Sequence, residues 1–562
     1  MMSSVGAFPP GLVLIIAGLL LPWLARPLRQ ALLLVASALC LYLVWQVGDG
    51  AQITLHYLDY EIVTLKGDAL SRLFATVFAI MALVGGLFAL NQLSVLEMSA
   101  AFVYAGSAVS AVFAGDLITL FVFWEIMAIG STLIVWSAGP RAYGAGLRYA
   151  AIHFLGGVIL MAGIAGEIAN TGSIAFTQMS ADTVPRMLIL IGFLINAGAP
   201  PLAAWLPDAY PEASWSGMVF LSAFTTKTAV YVLLRGFAGT EILIYIGLYM
   251  VFYGIIYAIL ENDMRRILAY SIVNQVGFMV TGIGIGSQMA LNGAAAHAFV
   301  HIIYKALLLM SAGSVLYMTG KRKCTDLGGL FRTMPVTCVC GIIGALSISA
   351  FPLTSGFPAK SMISQGAADG HLVIVWYLLA AASAGVFLHA GIKFPWFVFF
   401  QKDSGLRPSE PPWNMRLAMI IFSVMCLGLG VAPGVLYNLL PFPVNYVPYT
   451  GAHVVFQLQL LLFSGLAFFL MLGWLKRSLT ITLDFDWFYR RFGWMLAEEF
   501  QMRSGDVWNG MANRAANTVT RFVRQLYRHH GPEGILGRQW PTGNMAFWTT
   551  LLLGASLIVY YL

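Results

Sequence analysis

The sequence predicts an all-α polytopic membrane protein with about sixteen transmembrane helices. Two observations carry that reading. Of the 562 residues, 59% are hydrophobic and only 10% charged, with a mean hydropathy of +0.81. Apolar runs near twenty residues long, the length a bilayer-spanning helix needs, recur from end to end. A soluble enzyme is excluded. The net charge of +7 does not indicate a nucleic-acid partner, because Lys and Arg gather at the ends of the apolar runs, where they set orientation.

In chain order the runs place spans at 11–26, 29–48, 69–90, 95–114, 116–137, 146–169, 184–205, 215–236, 241–260, 266–287, 292–318, 336–363, 371–400, 416–440, 452–475 and 545–562. The first run, Gly11 to Leu24, precedes Arg26 and Arg29 with no small-residue cleavage site, and reads as a retained helix. One alternating set of loops carries Arg26/Arg29, Arg141/Arg148, Arg265/Arg266, Lys321/Arg322/Lys323/Arg332, Lys402/Arg407/Arg416 and Lys476/Arg477. Its counterpart, such as the 48–68 connection with Asp49, Asp59 and Glu61, is poor in Lys and Arg. The positive-inside rule then puts the first set in the cytoplasm and both termini outside.

Two spans are interrupted, one by Gly198-Ala199-Pro200-Pro201 and the other by Pro352-Leu353-Thr354-Ser355-Gly356-Phe357-Pro358. Proline removes an amide donor, so such breaks free backbone groups that must face a cavity or other protein. Paired breaks mark an inverted repeat with halves at 95–240 and 241–402, between N-terminal helices (1–94) and C-terminal ones (403–480). From Asp484 to Arg528 the chain turns aromatic and basic, with apolar residues at helical spacing (Trp487, Phe488, Phe492, Met495; Val519, Phe522, Val523, Leu526). This predicts a C-terminal amphipathic lateral helix over 481–540 along the cytoplasmic interface, broken by Gly531–Gly543 before the last helix at 541–562. Cys40, Cys324, Cys338, Cys340 and Cys426 show no metal or cluster spacing and read as packing residues.

Charged side chains at bilayer depth are costly and face a protein interior, a partner or water. Lys227, in MVFLSAFTTKTAVYVLLR, stands about a dozen residues from Trp215 and about eight from Arg235, too deep for an easy snorkel to a headgroup. Glu125 lies mid-way along FVFWEIMAIGS, where a carboxylate is neutral unless a lysine lies beside it. It is a proton-site candidate or half of a structural ion pair. His297, His301 and Lys305 recur at i, i+4 and i+8, which puts them on one helix face. A single buried His is ordinary, but three titratable groups in one stripe suit a proton relay; no Cys, Asp or Glu on that stripe supports a metal. Lys360 follows the second break, in GFPAKSM. His389 and Lys393 lie late in their span and are secondary candidates, equally readable as an interfacial anchor. No nucleophile–base set, phosphate loop or cofactor motif accompanies these groups. Movement of protons or cations is the predicted chemistry, without a cofactor.

The stretches FWEIMAIGS, PLAAWLPDAYPEAS, FLSAFTTKTAVY, ENDMRRILAYSIVNQVGF, HAFVHIIYKALLLMSAGSV and GFPAKS, over roughly 95–400, resemble the antiporter-like subunits shared by respiratory complex I and the multisubunit Mrp cation/proton antiporters. AWLPDAYPEAS and AFTTKTAVY resemble the D-type subunits of Mrp antiporters, whereas the tail, with DFDWFYRR and a final helix, resembles the long terminal subunit of complex I. The resemblance implies a proton path in which Glu125 is the fifth-helix glutamate and Lys227 the eighth-helix base. His297, His301 and Lys305 would be the eleventh-helix relay and Lys360 the exit lysine. It also implies a bacterial or archaeal cell membrane, other hydrophobic subunits as partners, and Na+ as the exchanged cation. One position departs: LINAGAPPL has Asn196 where relatives carry lysine. Lys227 would then pair with Glu125 instead, or this half is degenerate. The alternatives are a membrane subunit that energises a hydrogenase, dehydrogenase or inorganic-carbon uptake complex, and a non-conducting scaffold.

Overall fold

The computed structural model describes residues 8–57, 59–475, 484–532, 534–537 and 541–562; Lys476 and Arg477 lie outside them. The chain divides into two compact units, Met1–Asp486 and Trp487–Leu562.

Among the described residues, thirteen helices are long and apolar enough to cross a bilayer. Three shorter apolar helices, Pro10–Trp23, Val184–Ala197 and Pro335–Ile348, stand at the other three predicted places. The last two have 14 residues each, about 21 Å at 1.5 Å per residue, too short for a hydrocarbon core of about 30 Å. They are the leading halves of the two interrupted spans.

The first unit begins with α1 (Pro10–Leu20) and α2 (Arg26–Val44). Next comes an antiparallel hairpin, β1 (Gln52–Tyr57) with β2 (Tyr60–Lys66), inside what the sequence showed only as a polar connection. Then follow α3 (Ala69–Phe88), α4 (Val95–Phe113), α5 (Leu117–Trp136), α6 (Pro140–Thr171) and α7 (Val184–Ala197). Side-chain oxygens of Asp68, Ser94, Asp116 and Thr183 cap four of these helices by accepting from the first free amides. Beyond the first break lie short α8 (Trp205–Ala209), α9 (Gly217–Leu221) and α10 (Thr225–Gly236). The span predicted at 215–236 is therefore itself broken, at 222–224.

The second half holds α11 (Ile242–Leu260), α12 (Met264–Ile285), α13 (Gln288–Thr319), α14 (Pro335–Ile348) and α15 (Gly356–Asp369). After them come α16 (Val373–Val386), α17 (Trp413–Val431), α18 (Gly434–Tyr437) and α19 (Gly451–Leu470). Two π-helical stretches, Phe387–Lys393 and Trp396–Phe400, continue α16. Such i→i+5 turns widen a helix locally and are frequent at functional sites.

Burial separates the helices by role. The windows of Gly217–Gly236 and Met264–Ile285 are wholly enclosed and Gln288–Thr319 nearly so, whereas Arg26–Val44 and Gly451–Leu470 are mostly open. A helix apolar on all sides is stable either inside protein or against lipid. The three enclosed helices carry Lys227, Arg265 and Lys305, so these charges lie where protein replaces lipid. In the second unit, α20 (Gly493–His530) and α21 (Thr542–Tyr561) follow a π-turn at Phe488–Phe492. The amphipathic helix is present: α20 has 38 residues, with Phe500, Val519, Phe522 and Leu526 exposed.

Candidate functional site: a buried line of bases across two helix breaks

Lys227 lies in the first turns of α10, fully buried. The break before it leaves carbonyls without an i+4 amide. Tyr104 of α4 bridges the gap, its hydroxyl 2.6 Å from Thr225 Oγ1 while accepting from Thr225 N at 2.8 Å. The Lys227 ammonium donates to the freed Ser222 carbonyl at 2.7 Å and to Thr226 Oγ1 at 3.1 Å. Lys360 repeats this arrangement at the second break. Its ammonium donates across the gap to Ile348 O, the end of α14, at 2.7 Å and stands 4.7 Å above the Phe278 ring. Helix C-termini carry partial negative charge, so each lysine is held by a carbonyl that the break exposes.

Between them runs α13. Lys305 donates to Ser271 Oγ at 2.8 Å and to Leu268 O at 3.3 Å, both on α12. His297 Nε2 is 2.8 Å from Tyr304 OH and 3.2 Å from Gln275 Oε1. His301 lies between, its ring 6.1 Å from His297 and 5.2 Å from Tyr304, and neither of its nitrogens has a hydrogen-bond partner among the described residues. Lys227, Lys305, His297 and Lys360 all act electrostatically on His301, and Lys227 and Lys360 both act on Lys305. The structure thus brings five predicted residues into one buried row. Beside Lys360 opens a cavity of about 330 Å³, lined by Ser361, Gln365, Thr450, His453 and Gln457 among others.

Two expectations change. None of the ion pairs among the described residues involves Glu125, Lys227, Lys305 or Lys360. The pairing of Lys227 with Glu125 is not formed, because the ammonium is turned into the α9–α10 break. Glu125, half-buried, rests against α6, where a Cβ on Gly157 would come within 2.0 Å of its Oε1. Asn196 lies by the preceding glycine of α6, its Oδ1 3.7 Å from the corresponding point on Gly156, with His153 beside it. Lys393, finally, is no interfacial anchor. It is buried and donates to the carbonyls of Ala258, Ile259 and Glu261 at the end of α11. His389, one helical turn earlier in the π-helical stretch, is fully buried, bonds Gly385 O through Nδ1 at 2.9 Å, and feels Lys305, Lys393 and Lys360.

The sequence reading missed other polar residues. Glu97, at the start of α4, is 1% exposed and accepts from Ser216 Oγ at 2.5 Å, Ser214 Oγ at 2.7 Å, Gln92 Nε2 at 3.1 Å and Ser137 Oγ at 3.2 Å. At a helix N-terminus it looks like an ordinary dipole partner. Arg265, one of the loop charges by sequence, is buried and donates to Pro211 O, Ala213 O and Ser214 O at 2.9, 2.8 and 2.7 Å. His153, packed between Tyr149 and Trp205, stood alone in its span and gave no spacing signal.

An almost wholly helical chain with interrupted spans and clustered buried bases defines an antiporter-like membrane protein. The sequence matches the transmembrane family of NADH:quinone oxidoreductase and Mrp antiporters over residues 114–387. It is 32% identical to the D-type subunit of the Na(+)/H(+) antiporter of Alkalihalophilus pseudofirmus over 342 residues, 57% of this chain and 69% of that one. The chain belongs to this family. Other curated relatives are longer, and the aligned part spans about half of them, 44% and 56% in two cases. Among solved structures, a chain of the Mrp complex from Dietzia sp. DQ12-45-1b superposes with a TM-score of 0.78 at 22% identity, covering 92% of this chain and 62% of that one. A chain of the membrane-bound sulfane sulfur reductase, an archaeal respiratory membrane complex, superposes at 0.72 and 24% identity, with 99% of both chains covered. At these identities the two structures speak for the fold alone.

Proposed function

We propose that this chain is a proton-conducting subunit of a multisubunit cation/proton antiporter in a cell membrane, with Na+ as the exchanged cation. The observation that carries the reading is the enclosed group Lys227, His297, His301, Lys305 and Lys360, in which Lys227 and Lys360 are each held by a carbonyl freed at a helix break. An ammonium on such a carbonyl gains about 1.5–3 kcal/mol. That is enough to hold the proton and little enough to release it when a neighbouring cation arrives. His301, with both ring nitrogens unengaged among the described residues, passes the proton between the lysines. The cavity at Lys360 gives the exit. His389 and Lys393 extend the row from Lys305 toward the end of α11 and form an entry branch. Glu125, with Asn196 and His153, is a separate station in the first half of an inverted repeat, 95–240, whose second half is 241–402. Loops rich in Lys and Arg face the cytoplasm and both termini face outside.

The test is Lys360→Ala in purified complex reconstituted into proteoliposomes. Proton flux is expected to fall more than tenfold while the complex assembles with its full set of subunits. Unchanged flux sinks the row as a pathway. A second reading, a subunit of a redox-driven respiratory complex, is favoured by the 38-residue α20 and final helix that follow the shared core. Purification from the native membrane with identification of the co-purifying chains separates the two. Small hydrophobic subunits support the antiporter, and a soluble redox protein supports the other.

A further inference from the structure

The outer face of the second half carries an apolar groove of about 450 Å³, outside the row of bases. Its floor is the π-helical continuation of α16 (Phe387, Gly391, Ile392, Trp396, Phe400), and its wall is α19 (Leu462, Gly465, Leu466, Phe469). The widened turns and Gly465 leave this volume unfilled. From Phe387 to Phe400 the groove runs at most about 20 Å, roughly one leaflet of a hydrocarbon core about 30 Å thick. The volume lies within the ~300–1,000 Å³ of small-molecule sites.

One end is chemically distinct. Phe400 stacks on Phe331 at 5.4 Å, and the Arg332 guanidinium stands 5.6 Å from the Phe331 ring centre. Arg332 and Lys402 are exposed and join no ion pair among the described residues, whereas the nearby Arg407 is committed to Asp403 at 2.6 Å. The Trp396 indole N–H, in the groove, is buried and has no acceptor among the described residues. An apolar slot one leaflet deep, an indole donor part-way along it and two exposed cations at its mouth match the three parts of one molecule: acyl chain, ester carbonyl and phosphate. We infer that the groove between the π-helical segment of α16 and α19 is a binding site for an anionic phospholipid of the bilayer.

The full-length protein, purified in mild detergent and delipidated, is titrated with phosphatidylglycerol and with phosphatidylcholine, and bound lipid is read by native mass spectrometry. A Cβ on Gly465 would meet Phe387 and Ile392 at 3.4 and 3.5 Å, ordinary contact, so a larger side chain there enters the groove without striking backbone. Phosphatidylglycerol should bind one per chain, and Gly465→Phe should weaken it about tenfold or more, with Gly465→Leu intermediate. The pair Arg332→Gln and Lys402→Gln should remove the preference for phosphatidylglycerol while retaining the groove. A melting profile matching the parent shows that each variant is folded. The proposal is overturned if a folded Gly465→Phe binds as the parent does, or if phosphatidylcholine binds the parent equally well. A photo-crosslinker at Ile392 in the native membrane that captures another subunit's helix instead of lipid overturns it as well.

Discussion

Gly157→Ala is the most incisive perturbation of Glu125, because it moves the carboxylate without removing it. The new methyl would lie 2.0 Å from Glu125 Oε1, 2.9 Å from Cδ and 3.2 Å from Oε2. To regain ordinary contact at 3.4 Å, the carboxylate must retreat about 1.4 Å. Alanine in place of a helical glycine returns about 0.5–1 kcal/mol of backbone entropy, and the crowding costs about 1–3 kcal/mol. The fold should therefore lose between about zero and roughly 2.5 kcal/mol. A displacement above 1 Å in a transfer geometry costs on the order of 100-fold in rate. Gly156→Ala is the matched control, since its methyl meets Ile195 at 3.2 Å and Asn196 Oδ1 only at 3.7 Å. Proton uptake by proteoliposomes and a thermal melt, run on both variants, are the assays. The expected outcome is a cooperative melt in both, lowered by no more than that margin, with flux lost only in Gly157→Ala. Parental flux in Gly157→Ala would refute the placing of Glu125 in the path.

Three more predictions concern other elements. Asn196→Lys places an ammonium beside Gly156 of α6, next to the glycine that Glu125 rests against, where it should attract the carboxylate. The coupling should appear in a double-mutant cycle with Glu125→Gln, measured by melting, and a coupling near zero rules out contact. Arg265→Lys replaces a fork that reaches three carbonyls by a single ammonium, and at about 1.5–3 kcal/mol per charged hydrogen bond the loss is several kcal/mol, read as a lowered midpoint. Asp484 accepts from Tyr253 OH at 2.6 Å and Tyr270 OH at 2.8 Å, fastening the end of the first unit to α11 and α12. Asp484→Asn replaces a charged acceptor by a neutral one, and at about 1.5–3 kcal/mol per charged hydrogen bond the melting midpoint should fall; an unchanged midpoint discounts the fastening.

Length and hydropathy alone determined the helical membrane class, because spanning a bilayer leaves so few alternatives. Proline and glycine marked the breaks at 198–201 and 352–358, since their backbone chemistry acts locally. The spacing of His297, His301 and Lys305 put them on one face for the same local reason. The break at 222–224 left no such mark. No proline or glycine stands there, and what sustains it is Tyr104, over a hundred residues away, with the Lys227 side chain. The partners of the bases were equally hidden. Ser222, Ile348, Ser271 and Leu268 serve through a carbonyl or hydroxyl that any sequence offers, and only packing decides which of them an ammonium meets. Glu125 and Lys227 looked like a pair because opposite charges near one depth attract. The tertiary structure turned one toward Gly157 and the other into a helix break, since the geometry of freed backbone groups outweighed a Coulomb attraction that no short contact supports.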